Sequence, residues 1–105
     1  MLRLVELAVE HDRVLHVPAG VVAQVWRDGG RQVRLARLIS STSLEVTSLD
    51  LAEARATGAL CGLTDTADIV DSSVALLARR LRATVVTSDP QDIRRLDATL
   101  PVVRC

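Results

Sequence analysis

The sequence contains no lysine, asparagine, phenylalanine or tyrosine, and its one aromatic residue is Trp26. All 13 basic residues are therefore arginine, and they balance 13 acidic residues to a formal net charge of zero. A chain without net charge has no overall field that attracts nucleic acid or a membrane surface. Any electrostatic binding must therefore come from local patches.

Cysteine is also scarce, and the two cysteines, Cys61 and Cys105, lie far apart. This is neither the C-x-x-C spacing of a zinc site nor the number that a disulfide framework needs. No apolar run approaches the roughly 20 residues of a membrane span, and the N-terminus lacks the order of a signal peptide. We therefore expect a cytoplasmic protein with unpaired thiols and no membrane segment.

Apolar residues are abundant, at 49% of 105 residues, which is enough for the core of one domain. Helical and extended patterns alternate along the chain. Helices are predicted over 2–10, 19–28, 31–40, 51–60, 67–82 and 90–100, and strands over 13–17, 44–49, 83–89 and 101–105. This alternation is typical of an α/β fold with a mainly parallel sheet, here a single domain spanning 1–105.

Capping and breaking residues set the predicted helix ends. Asp50 is placed to cap the helix that follows it, and Gly62 is predicted to end that helix. The longest helical pattern has one broad apolar face. Its members are Ile69, Val70, Ser73, Val74, Leu77 and Leu81.

Four aspartates occur in two pairs with the same three-residue spacing. Asp68 and Asp71 open the long helix and share one face of it, whereas Asp89 and Asp92 follow a strand. Because ligands bind beyond the carboxyl ends of parallel strands, the two pairs can meet at one sheet edge. Converging carboxylates repel unless a cation neutralises them, and hard oxygen ligands suit Mg²⁺ or Mn²⁺. The alternative is structural: Asp68 or Asp71 caps a helix, and Asp92 is a solvated helix residue.

The segment DSSVALLARRLRATVVTSD, from Asp71 to Asp89, resembles the C-terminal half of PIN-domain ribonucleases, in particular the VapC toxins of bacterial toxin–antitoxin pairs. That family has an aspartate opening a D-A-x-I-A-A helix and, at a matching distance, a strand of the type L-V-T-x-D. HVPAGVVAQVWR resembles the family's second strand, proline and next helix. The resemblance implies a three-layer α/β/α fold, cleavage of RNA with Mg²⁺ or Mn²⁺, and inhibition by a VapB-like antitoxin.

Carried over position by position, the resemblance makes Asp71 and Asp89 metal-binding acids. Asp68 is a further candidate ligand, and Asp92 is an accessory catalytic carboxylate. The family's first strand, which ends in an aspartate, has no counterpart after Met1, so we expect the first central strand to be missing. The true start codon would then lie upstream, or the gene would be decayed or rearranged, or the neighbouring strands would pair directly, borrow a strand from another subunit or be covered by a partner. Exchange between subunits favours a homodimer.

Gln24 stands where the family usually has glutamate, and an amide brings no negative charge. Arginines near this helix form a stripe that suits RNA phosphates, an acidic antitoxin or simply solvent: Arg27, Arg31, Arg34 and Arg37. A second basic set lies near the proposed site: Arg79, Arg80, Arg82, Arg94 and Arg95. His16 is interpreted as structural and Trp26 as a core residue.

Three functions are therefore compatible with the sequence. The leading one is a metal-dependent ribonuclease of VapC type, impaired by the incomplete set of acids. The second is a non-catalytic PIN-like module that binds an antitoxin or forms a dimer. The third, a receiver-like domain with Asp89 as phosphate acceptor, ranks last because such domains need a lysine and the chain has none.

Overall fold

A computed structural model describes residues 13–27, the single residues 29, 33, 36, 37 and 40, and residues 42–104. The chain divides into two compact units, Met1–Ser48 and Leu49–Cys105. The helix predicted over 2–10 lies outside the described residues, as does most of the helix predicted over 31–40. The single domain spanning 1–105 stays a prediction.

The described elements of the first unit are two strands and the helix that follows the first strand. They are β1 (Leu15–Pro18), α1 (Ala19–Trp26) and β2 (Leu44–Thr47). The two strands pair in parallel along their whole length. Val17 of β1 and Leu44 of β2 form a small buried cluster, and Val21 and Val22 of α1 pack against this pair. Valine and leucine side chains thus fill the space between the helix and the ladder.

The second unit contains three helices and a second parallel strand pair. Its elements are α2 (Leu51–Thr64), α3 (Ile69–Leu81), β3 (Val85–Thr87), α4 (Pro90–Leu96) and β4 (Val102–Arg104). β3 and β4 pair from Val85 opposite Val102 onward. One core joins all three helices to β3, and its buried members are Leu60, Ala75, Ala78, Val85, Ile93 and Leu96.

Helix α2 confirms one predicted end and corrects the other. Asp50 caps it as predicted, with Oδ1 accepting from the Glu53 N–H at 2.8 Å. Gly62 does not end the helix, which continues to Thr64 and stops where Asp65 takes a left-handed conformation at φ 55°. A Cβ built at Gly62 would meet nothing within 4 Å. This glycine therefore lowers helix propensity without stopping the helix.

The buried face of α3 is rotated from the predicted one. Ser72 is fully buried because its hydroxyl lies 3.1 Å from the Cys61 Sγ of α2, and Ala75 beside it is also fully buried. Ile69 and Leu81, predicted to face the core, are 46% and 41% exposed. Small side chains thus bring α2 and α3 close together, which the apolar periodicity alone did not reveal. The other members of the predicted face are buried or half-buried: Val70, Ser73, Val74 and Leu77.

Both strand pairs are parallel and alternate with helices, so the α/β class is confirmed. The missing first central strand stays a prediction, and so does the homodimer. Among the described residues, no helix combines the length and apolarity that crossing a membrane requires.

Candidate functional site

An open cleft of about 230 Å³ lies in the second unit, where α2 ends and α3 begins, beside α4. We call it the carboxylate cleft; its lining residues are Thr64, Asp65, Thr66, Asp68, Asp71, Asp92, Arg95 and Leu96. Three of the four predicted site aspartates therefore share one cleft. The fourth, Asp89, is close enough for its charge to raise the pKa of Asp71.

The same six-residue pattern, T-x-D-x-x-D, builds the turn before α3 (residues 66–71) and the turn before α4 (residues 87–92). In each turn the threonine Oγ1 accepts from the backbone N–H of the first aspartate, at 3.2 Å for Asp68 and 3.1 Å for Asp89. That aspartate is the N-cap residue, and the second aspartate is the third residue of the helix. The repeat explains why both pairs of carboxylates stand at helix starts.

The two turns differ in how the first aspartate uses its side chain. Asp68 Oδ1 accepts from the backbone N–H of Asp71 at 2.9 Å, so Asp68 caps α3. Asp89 makes no side-chain capping bond, and the Asp92 N–H instead reaches the Asp89 backbone oxygen at 3.2 Å. The structural interpretation therefore holds for Asp68, which also lines the cleft. The Asp89 carboxylate is not used by its own helix.

Asp71 carries the strongest electrostatic effect of the cleft. The pKa of this carboxyl is raised to about 6, first by burial and then by the charge of Asp68 and a side-chain hydrogen bond with it. The charges of Asp92 and Asp89 make the smaller contributions to the same increase. At neutral pH the carboxylates thus repel one another, and a bound cation would relieve the repulsion.

Of the five arginines predicted near the site, one lines the cleft and two are paired elsewhere. Arg95 lines the cleft, with Nη1 3.5 Å from Asp92 Oδ1. Two others form ion pairs elsewhere on the second unit: Arg79 with Asp97 at 2.9 Å, and Arg80 with Glu53. Arg95 is therefore the member of this set that is placed to meet an anionic ligand in the cleft.

The candidates of the first unit are described only in part. Gln24 is exposed on α1, and Trp26, interpreted as a core residue, is 40% exposed. His16 Nδ1 lies 3.9 Å from a carboxylate oxygen of Glu45 on the neighbouring strand. Of the arginine stripe, Arg27 and Arg37 are exposed, whereas Arg31 and Arg34 lie outside the described residues.

The carboxylate oxygens of the cleft are of the kind that suits a hard cation which keeps several of its water ligands. Across residues 13–27 and 42–104 and the single positions between them, no three His, Cys, Asp or Glu side chains are grouped tightly enough for a ready-made metal cage. Mg²⁺ is usually held by one or two carboxylates and keeps several waters, so it does not require such a cage. The spread carboxylates around Asp71 suit that mode, whereas a closed zinc site does not suit them.

Two residues of this region were not predicted from the sequence. Asp65 lines the cleft, and its position follows from the unexpected length of α2. Arg104 donates from Nη1 to the backbone oxygen of Ser88 at 2.9 Å, directly before Asp89. The pairing of β3 with β4 brings Arg104 there, and no local spacing indicates that contact.

No protein-family model, curated protein sequence or solved structure matches the chain. The resemblance to PIN-domain ribonucleases therefore depends on the quoted motifs alone. Function has to be argued from the chemistry of the carboxylate cleft.

Proposed function

We propose that the chain is a cytoplasmic, metal-dependent endoribonuclease of VapC type, with a PIN-like three-layer fold and the carboxylate cleft as its catalytic centre. One observation carries the proposal: Asp68, Asp71 and Asp92 line one cleft, and the charge of Asp89 reaches Asp71. Like charges held together in a folded protein are costly, so their convergence favours a role that uses them. The T-S-D strand end and the aspartate opening α3 are the motifs that support the family assignment.

The four aspartates have different roles in this proposal. Asp71 is the central ligand for Mg²⁺ or Mn²⁺, because it is half-buried and is affected by all the others. Asp89 is the second ligand, because its carboxylate makes no capping bond. Asp68 supports them while it caps α3, and Asp92 is held beside Arg95 at the cleft wall.

A bound Mg²⁺ or Mn²⁺ supplies a water of lowered pKa and neutralises charge at the phosphodiester. The chain itself binds and orients. Asp71 is ionised above about pH 6, so its capacity as a ligand increases through that pH. Arg95, with 76% of its side chain exposed, offers guanidinium donors to a phosphate of the RNA.

Titration calorimetry with Mn²⁺ tests the proposal on the full chain. We expect weak binding above pH 7 that is lost in Asp89→Asn and in Asp71→Asn. The matched control is Asp50→Asn, which removes the same charge from the α2 cap, where asparagine caps equally well. Mn²⁺ binding that survives both the Asp89→Asn and the Asp71→Asn substitution would rule out the assigned ligands.

RNA cleavage is the second measurement. Because neutral Gln24 stands where the PIN-domain family usually has glutamate, we expect slow cleavage even with Mn²⁺. Fast cleavage that Asp89→Asn abolishes would show that the cleft aspartates suffice for full activity.

A non-catalytic PIN-like module is the second candidate, in which the chain forms a homodimer or binds a VapB-like antitoxin without hydrolysis. Neutral Gln24 and the absence of a three-carboxylate cage among the described residues favour it. Sedimentation analysis together with the Mn²⁺ titration separates the candidates. A stable dimer that binds no Mn²⁺ supports the module and contradicts the ribonuclease.

A further inference from the structure

We infer that Arg104 is a positioning residue for the carboxylate cleft. It holds the turn before α4 in a conformation in which Asp89 does not cap its helix, which leaves the Asp89 carboxylate free for a cation. The contacts that control the turn all lie within the second unit. The consequence for a cation depends on the proposed function.

The two T-x-D-x-x-D turns differ in whether their first aspartate caps the helix. Both have the threonine contact, yet Asp68 at φ −82°, ψ 92° caps α3, whereas Asp89 at φ −123°, ψ 72° makes no capping bond. The proline after Asp89 does not explain the difference, because proline is favoured directly after a capping residue. We therefore compare the contacts that each turn receives from outside its six residues.

Arg104 supplies such a contact. Thr87 and Arg104 are partners in the parallel ladder of β3 and β4, so strand pairing places Arg104 beside the turn. Its Nη1 donates to the Ser88 carbonyl at 2.9 Å. In the turn before α3, no side chain of the described residues donates to the corresponding carbonyl of Ala67.

The Ser88 carbonyl and the Asp89 N–H belong to the same planar peptide. Arg104 contacts the carbonyl end of this peptide group, and the Thr87 hydroxyl contacts its N–H end. Fixing the plane restricts φ of Asp89 and with it the direction of the side chain. Without Arg104 the peptide is held only at its N–H end, by Thr87, as Thr66 holds the corresponding peptide before α3. Asp89 can then accept from the Asp92 N–H as Asp68 does from Asp71.

A capping bond would engage a carboxylate oxygen that is otherwise open to a cation. Groups that orient metal ligands from behind typically change metal affinity by about 10- to 100-fold when they are removed. We therefore expect Arg104→Met to weaken Mn²⁺ binding by about tenfold or more. Arg104→Lys, which keeps a cationic donor, should recover most of that loss.

Two measurements on the full chain test the inference: Mn²⁺ calorimetry, and NMR hydrogen exchange of the Asp92 amide without metal. In Arg104→Met we expect weaker Mn²⁺ binding together with slower exchange of the Asp92 amide, because a bond to the Asp89 carboxylate would add to its 3.2 Å bond with the Asp89 backbone oxygen. The matched control is Arg55→Met, which removes the same charge from an exposed position of α2 where the described residues offer no ion pair. It should leave both measurements unchanged.

Equal Mn²⁺ affinity in Arg104→Met and the native chain would overturn the inference. So would weaker binding combined with faster Asp92 exchange, because the turn would then simply have lost its structure. If the native chain binds no Mn²⁺, the proposed function is wrong. The exchange measurement still tests whether Arg104 keeps Asp89 from capping α4. Slower Asp92 exchange in Arg104→Met then supports that control, and unchanged exchange rejects it.

Discussion

The turns before α3 and α4 share one sequence pattern and use it for different purposes. Before α3 the first aspartate binds a backbone amide of its own helix, so its charge stabilises the fold. Before α4 the first aspartate makes no such bond, so its carboxylate is not engaged by its own helix. The charges of both first aspartates raise the pKa of Asp71, and that of Asp68 raises it more. The T-x-D-x-x-D pattern thus determines where the first aspartate lies, whereas contacts from other elements determine whether its carboxylate caps the helix.

Removing the core contact of α4 should have the largest effect on stability and should affect the turn before α4 more than the turn before α3. Ile93 is 1% exposed, and its side chain anchors α4 in the core of the second unit. We expect Ile93→Ala to lower the free energy of unfolding by about 3 kcal/mol through lost burial and a cavity. Urea denaturation gives the loss, and amide exchange should show the turn before α4 opening more than the turn before α3. Equal opening of both turns would mean that they are not supported separately.

The capping difference predicts a smaller, asymmetric effect on stability. Asp68→Ala should lower the free energy of unfolding by about 1 kcal/mol, because the Asp71 N–H loses its acceptor. Asp89→Ala should change it by less than about 0.5 kcal/mol, because no capping bond is lost. Asp68→Asn is the control, since it keeps the cap while it removes the charge. Similar losses for both alanine variants in urea denaturation would contradict the distinction.

The smallest expected effect is a pH dependence centred on Asp71. The pKa of this carboxyl rises from 3.8 to about 6 in the folded chain, so folding favours its protonated form. Its contribution to stability is complete below pH 3.8 and is lost as the pH rises through about 6. Asp71→Asn removes this dependence and should be more stable than the native chain above pH 6, by less than about 1 kcal/mol after solvent screening.

Thermal unfolding of the native chain and Asp71→Asn between pH 3.5 and 7.5 measures this difference. The gap should open across the interval between the two pKa values and then stay constant. A gap that is already present at pH 3.5 would point to lost packing rather than lost charge.

The sequence predicts the position of the aspartates better than their roles. Spacing and the strand-end rule are enough to bring Asp68, Asp71 and Asp92 to one cleft, because these rules depend on residues a few positions apart. Capping by Asp50 is predictable for the same reason. Whether Asp89 caps depends on Arg104, a residue 15 positions further along the chain, so no local pattern reveals it.

The fold shows the same limit. The α/β class and the helix starts follow from periodicity and capping residues, whereas the end of α2 and the buried side of α3 do not. Gly62 does not take the positive φ of a helix C-cap, and the left-handed residue that ends α2 is Asp65. The buried Ser72 hydroxyl is hydrogen-bonded to the Cys61 thiol of α2, and that contact depends on how the two helices pack.

The two strands of the β3–β4 ladder are close together in the sequence, which affects how fast they can pair. Its first pair, Val85 and Val102, lies 17 positions apart, with only α4 and its flanking turns between the strands. Closing a loop of that length costs little chain entropy, and proteins dominated by such near-neighbour contacts fold rapidly. We therefore expect β3, α4 and β4 to form together, within about milliseconds of the start of refolding. The peptide that carries Asp89 would then take its final orientation at the same moment as the strands, not in a later step.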